Sequence, residues 1–183
     1  MLTKMIELED CGLLVIDIQG KLAELVHNSD SLLSYNQKLI RICKTLEIPI
    51  IAVEQNPQGL GRTHPQLLTE LDGVTFYEKS HFSALLEPTI VEALKASGKK
   101  HWLVTGIESH ICVYQTVLGL VDQGYNVDVV TDCISSRAFS NVELAIANMR
   151  ALGVSMTSVE MITYQLLKTS EHHAFKDILK IVK

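Results

Sequence analysis

The 183-residue sequence contains no C-x-x-C pair and no Cys/His set with zinc-finger spacing. Its four cysteines, Cys11, Cys43, Cys112 and Cys133, therefore suggest neither a disulfide framework nor a structural zinc centre. There is no Lys/Arg cluster. The 16 basic and 21 acidic residues are mixed along the chain and leave a net charge of −5, so neither nucleic acid nor an anionic membrane is an expected partner. No apolar run approaches membrane-spanning length. The first ten residues, MLTKMIELED, carry one lysine, no long apolar region and acidic residues where a cleavage site would fall, so no secretory leader is expected. Internal repeats and low-complexity linkers are also missing. What remains is 47% hydrophobic and 20% charged, the composition of a globular cytoplasmic protein. The length suits one domain over 1–183 with a sizeable core.

Several apolar runs have the character of buried parallel strands. They are Leu13 to Ile16, Ile48 to Val53, His101 to Ile107, Asn126 to Thr131 and Val154 to Val159, with a shorter candidate at Val74 to Lys79. Helical periodicity lies between them, over 30–46, 87–97, 109–123 and 141–152, and again near 161–167 and 172–182. A short helix is expected from Pro65 to Leu71, and the segment from Glu54 to Thr63 reads as a polar loop with one proline and two glycines. Alternation of this kind predicts a three-layer α/β/α fold around a six-stranded, mostly parallel sheet. Right-handed crossovers then bring the loops after Ile16, Val53, Ile107 and Thr131 to one sheet edge.

Three residues at that edge carry chemistry. Asp17 follows the first strand, Lys79 ends the short one, and Cys112 falls in the first turn of the helix after Ile107. A thiol at a helix N-terminus faces unpaired N–H groups and the positive end of the dipole, which favours the thiolate. Cys112 is then a nucleophile, Asp17 its proton acceptor, and Lys79 a charge that favours both anions. Backbone N–H groups of the Gly106–Cys112 turn can receive an oxyanion. Taken singly, each residue has a plainer use: Asp17 as a turn former, Lys79 as a solvated cation, Cys112 as a packed thiol. Their coincidence on one edge favours the catalytic assignment.

Four blocks then resemble the isochorismatase-like cysteine hydrolase superfamily, in order and over nearly the whole chain. They are Leu14-Val15-Ile16-Asp17-Ile18-Gln19, Lys79-Ser80-His81-Phe82-Ser83-Ala84, Thr105 to Val113 with Thr116 beyond, and Asp132 to Arg137. The segment from Glu54 to Gly61 and the block Cys133 to Arg137 look closest to the isochorismatase domain-containing proteins. The resemblance implies an Asp17–Lys79–Cys112 triad acting through a thioester on a C–N bond of a small amide-like substrate. It also implies a cis peptide between Ile107 and Glu108, backbone N–H groups of Glu108 and Cys112 as the oxyanion hole, and a homo-oligomer, a dimer or larger. Gln19, Gln55, Phe82 and Ile107 are the expected substrate-lining residues.

Two departures from the family narrow the expectation. Family nicotinamidases bind a metal through an Asp and two His; here the corresponding loop offers Glu54, Gln55 and Asn56, with only His64 further on, so neither metal nor cofactor is expected. Isochorismatases proper lack a cysteine at the nucleophile position, whereas Cys112 is present. His81 and His110 suit either the pocket or the surface, and Arg137 suits a substrate carboxylate, its own loop or a subunit contact. Trp102 and Cys43 are assigned to the core. The alternatives are a catalytically silent binding or scaffold protein of the same fold, and a flavodoxin-like nucleotide binder. The latter is disfavoured because Asp17 would repel phosphate.

Overall fold

Among residues 6–183, which the computed structural model describes, six strands form one parallel sheet in the order β3-β2-β1-β4-β5-β6. The expectation about a leader falls partly on residues outside this range. The strands are β1 Cys11–Ile16, β2 Ile50–Gln55, β3 Phe76–Lys79, β4 His101–Ile107, β5 Asn126–Ser135 and β6 Ser155–Thr157. The helices are α1 Gly20–Leu25, α2 Ser29–Thr45, α3 Pro57–Leu60, α4 Pro65–Leu68, α5 Pro88–Ala96, α6 Tyr114–Asp122, α7 Phe139–Ala151, α8 Val159–Leu167 and α9 Phe175–Val182. No helix among them is long and apolar enough to cross a membrane.

Strand periodicity divides the core between the two sheet faces. Leu13, Val15 and Leu103 pack with Leu39, Ile40 and Cys43 of α2, Ile162 and Leu166 of α8 and Ile178 of α9. Leu14, Ile16, Trp102 and Val104 pack on the other face, with Ile90 and Leu94 of α5, Val117 and Leu120 of α6 and Met149 of α7. The three-layer α/β/α architecture is as the sequence implied. Trp102 and Cys43 are fully buried, as assigned. Gly12, the partner of Trp102 across β1 and β4, makes room for the indole: a Cβ there would sit 2.6 Å from the ring.

Several boundaries differ from the sequence reading. Glu54 and Gln55 extend β2 instead of starting a loop, and α1 and α3 are too short to show a period. β5 continues to Ser135 through a bulge: Val104 pairs with Val129, but Gly106 pairs with Ile134. The polar residues Thr131 and Asp132, which suggested a strand end, lie inside this irregular stretch. Asp132 accepts the Val159 N–H at the start of α8, at 3.0 Å, so it serves a helix N-terminus.

Candidate active site

The strand order reverses at β1. The chain steps outward through β2 and β3 on one side, then returns to begin β4 on the other. In a doubly wound sheet, the crevice outside the carboxyl ends of the strands flanking such a point is where ligands bind. Asp17 leaves β1 there with φ 55, a left-handed conformation that Asp tolerates better than most residues. Opposite it, Gly106 has φ 148, and a Cβ would lie 2.4 Å from the Ile16 carbonyl oxygen. Only glycine lets β4 approach β1 this closely. Glu108 is also left-handed, with φ 55 and ψ 59.

The expected cis peptide is not formed: among the described residues no peptide bond is cis, and the Ile107–Glu108 bond is trans. The reversal comes from the positive φ values of Gly106 and Glu108, which turn the chain without a cis bond. The helix after β4 also opens differently than expected. Ser109–Val113 forms a π-turn that leads into α6. Such turns are rare and recur at functional sites. Cys112 lies within it.

Asp17, Lys79 and Cys112 meet at this edge, at 4%, 2% and 7% exposure. Lys79 reaches past β2, and its Nζ lies 2.7 Å from Asp17 Oδ2. The same ammonium donates to Gln55 Oε1 at 2.5 Å and to the His81 carbonyl at 3.2 Å. Asp17 Oδ2 faces this ammonium, whereas Oδ1 has no hydrogen-bond partner. Burial raises the Asp17 carboxyl above its ordinary value; the Lys79 charge, its hydrogen bond and the Cys112 thiol offset this only in part.

The electrostatics of Cys112 correct the sequence expectation of a favoured thiolate. Its thiol is pushed up to about 12, first by burial and then by the Asp17 charge, with Lys79 countering only partly. Cys112 is thus a protonated thiol near neutrality, beside a carboxyl whose proton affinity burial raises.

The other expected contacts divide. Gln19 is fully buried and its amide is used within the chain. Nε2 donates to the carbonyls of Gln55 (3.0 Å) and Gly61 (2.6 Å), and Oε1 accepts the Gln55 N–H (2.6 Å). It stitches the loop after α3 to β2 and has no group left for a ligand. Gln55 holds Lys79. The Ile107 side chain lies in the core on the α2 face, at 0% exposure. Phe82 is 55% exposed.

Arg137 donates to both oxygens of Glu108, at 3.3 and 3.2 Å, and its backbone N–H adds a third bond at 3.2 Å. It clamps its own loop to the turn that leads to Cys112. His110 is engaged with Ser136 Oγ at 3.0 Å and Asn141 at 3.3 Å. His81 pairs with Glu87, whose carboxylate also accepts the Ser80 and His81 N–H groups. Glu87 escaped sequence reasoning because it reads only as the start of α5; an acid just before a proline-led helix was the available signal.

Glu54 is buried and accepts the Thr63 N–H and hydroxyl at 2.7 and 2.8 Å, with Arg62 Nε at 3.0 Å. Among the described residues no three of His, Cys, Asp and Glu gather as metal ligands do. A cleft of about 260 Å³ beside the end of β3 is lined by Asn56, Pro57, Gln58, Glu78, Lys79, Ser80 and Glu87. It touches the triad only at Lys79, so we centre the site on the three convergent side chains.

A parallel sheet with a carboxylate, an ammonium and a thiol at its switch point marks an isochorismatase-like α/β protein. The isochorismatase domain matches residues 11–161, and the chain belongs to that family, whose members are generally hydrolases. Isochorismatase domain-containing protein 2 of Rattus norvegicus is 35% identical over 175 residues, covering 96% of this chain and 82% of the relative. Among solved structures, the MAR1 ribonuclease of Caenorhabditis elegans is 32% identical with a TM-score of 0.92, covering 98% of this chain and 92% of that one. The YcaC gene product of Escherichia coli, described as an octameric hydrolase of unknown specificity, shares the fold with a TM-score of 0.87. It is 21% identical and covers 97% of this chain and 94% of its own.

Proposed function

We propose that the protein is a cysteine hydrolase that cleaves the C–N bond of a small amide-like molecule through a thioester on Cys112. The observation that carries this reading is the buried meeting of Asp17, Lys79 and Cys112, in which Lys79 faces Asp17 Oδ2 and leaves Oδ1 without a partner. Asp17 takes the thiol proton as Cys112 Sγ attacks the carbonyl carbon. The resulting oxyanion is received by backbone N–H groups of Glu108 and Cys112. Collapse breaks the C–N bond as Asp17 returns the proton to the leaving nitrogen. Water then gives its proton to Asp17 and its oxygen to the acyl carbon. The acid leaves, and the proton goes back to the thiolate. Lys79 keeps its charge throughout and offsets the anions.

A homo-oligomer in the cytoplasm acting on a small molecule, with no cofactor, completes the proposal. RNA cleavage, the activity in the nematode relative's name, is disfavoured by a net charge of −5 with no basic cluster. The test is Cys112→Ala, assayed on a panel of small amides, ureido acids and esters. The variant is expected to fold, with its melting temperature close to that of the parent, and to lose turnover by about a thousandfold or more. Turnover that persists on a substrate the parent cleaves would rule out the thioester route.

A further inference from the structure

Lys79 carries three protons on its ammonium, and the structure gives each an acceptor: Asp17 Oδ2 at 2.7 Å, Gln55 Oε1 at 2.5 Å and the His81 carbonyl at 3.2 Å. Only one of the three is charged. The Gln55 amide is itself held, because Nε2 donates to the Ser80 carbonyl at 2.9 Å. Gln19 grips both the N–H and the carbonyl of Gln55, at 2.6 and 3.0 Å. The Gln19 N–H returns to the Asp17 carbonyl at 2.8 Å. These contacts close a ring, Asp17 to Lys79 to Gln55 to Gln19, across the carboxyl ends of β1, β2 and β3.

Resting on the Cys112 hydrolase reading, we propose that Gln55 is a positioning residue: its side-chain oxygen holds the Lys79 ammonium off the second oxygen of Asp17 and so keeps Asp17 basic enough to take the Cys112 proton. A buried ammonium that loses an acceptor must find another or stay unsatisfied at considerable cost. Asp17 Oδ1, on the carboxylate already in contact, has no well-aligned donor. A two-point pair with Lys79 there would weaken Asp17 as a base and occupy the oxygen. An anionic acceptor at position 55 would do the reverse and draw the ammonium away from Asp17.

The other charged and titratable groups at this edge have their own partners. Glu54 on β2 is bound by Thr63 and Arg62, and Glu108 after β4 by Arg137. Glu87 before α5 is paired with His81, and His110 in the π-turn faces Ser136 and Asn141.

The pH dependence of Cys112 alkylation by iodoacetamide tests the role without a substrate, in the parent, Gln55→Leu and Gln55→Glu, with melting curves to establish folding. Thiolate made by transfer to Asp17 disappears on the acid side, where Asp17 is already protonated. In Gln55→Leu this acid limb is expected at lower pH, with a neutral-pH rate about tenfold slower, the scale set by one neighbouring charge. In Gln55→Glu it is expected at higher pH, with a faster rate. Should Gln55→Leu fold poorly, the direction in Gln55→Glu decides. Limbs that coincide, or that move the same way in both variants, overturn the role of Gln55. A parent Cys112 no more reactive than a free model thiol, and indifferent to Asp17→Asn, overturns the nucleophile reading beneath it.

Discussion

Each end of the sheet holds a buried thiol next to a carboxylate. At the carboxyl edge Cys112 faces Asp17; at the amino edge Cys11 lies near Asp128. Both thiols are pushed up to about 12, first by burial and then by that carboxylate. What separates the pairs is the carboxylate. Burial raises Asp17, and its contacts do not restore it. Burial works to raise Asp128 too, but hydrogen bonds from His101 and Ser155 outweigh it and leave the group lowered. Asp128 is held by His101 and Ser155, whereas Asp17 Oδ1 has no hydrogen-bond partner. A raised thiol is thus no sign of reactivity or inertness by itself. The difference lies in whether its neighbour can take a proton and whether a reagent can arrive: Cys11 is fully buried, and Cys112 retains a small exposed surface.

The sharpest way to break this contrast is to neutralise each carboxylate. Asp17→Asn is expected to lower kcat/KM by about a thousandfold, as loss of a general base does, while Asp128→Asn should leave it within about twofold of the parent, far from any reacting atom. Comparable losses in steady-state assays of the two would erase the distinction. Next in size is labelling. Folded protein treated with iodoacetamide at neutral pH should take up label at Cys112 and none at Cys11, Cys43 or Cys133, which are fully buried. Peptide mapping by mass spectrometry reads this out, and label on Cys11 at a similar rate would contradict it.

The smallest effect is on stability. Because the folded Asp128 is more acidic than the unfolded one, its contribution is present above the unfolded value and is lost as pH falls through the folded one. Asp128→Asn should therefore cost about 1–2 kcal/mol near neutrality. The gap from the parent should close in strong acid. Melting temperatures across pH measure it, and a gap that widens on acidification would give Asp128 the wrong sign.

The sequence showed the fold and the three convergent residues more clearly than the contacts around them. Leu13 to Ile16 and Trp102 to Val104 are apolar throughout because both sheet faces are covered, and such runs announce themselves. Asp17, Lys79 and Cys112 stood out by residue type at strand ends. Gln19, Gln55 and Arg137 did not disclose their roles, because an amide or guanidinium near a site looks the same whether it binds a ligand or the protein. Only the partner atoms decide, and those come from chain segments remote in sequence. The turn at Gly106–Glu108 escaped for a related reason: Gly106 lies so close to Ile16 that a Cβ would clash, and local propensity does not encode that approach. The charge of Cys112 was misjudged because the helix terminus was visible in the sequence and the depth of burial was not.

The all-parallel sheet has a consequence for how the molecule is made. Central strand β1 has no neighbour adjacent in the chain by a hairpin. Leu13 must wait for Ile50 on one side and for Leu103 on the other. Pairings this remote form late and slowly. Asp17, Lys79 and Cys112 therefore become neighbours only once most of the sheet is assembled. During synthesis the emerging chain holds a carboxylate, then an ammonium, then a thiol as separate groups, and their meeting comes near the end of folding as a property of the completed sheet.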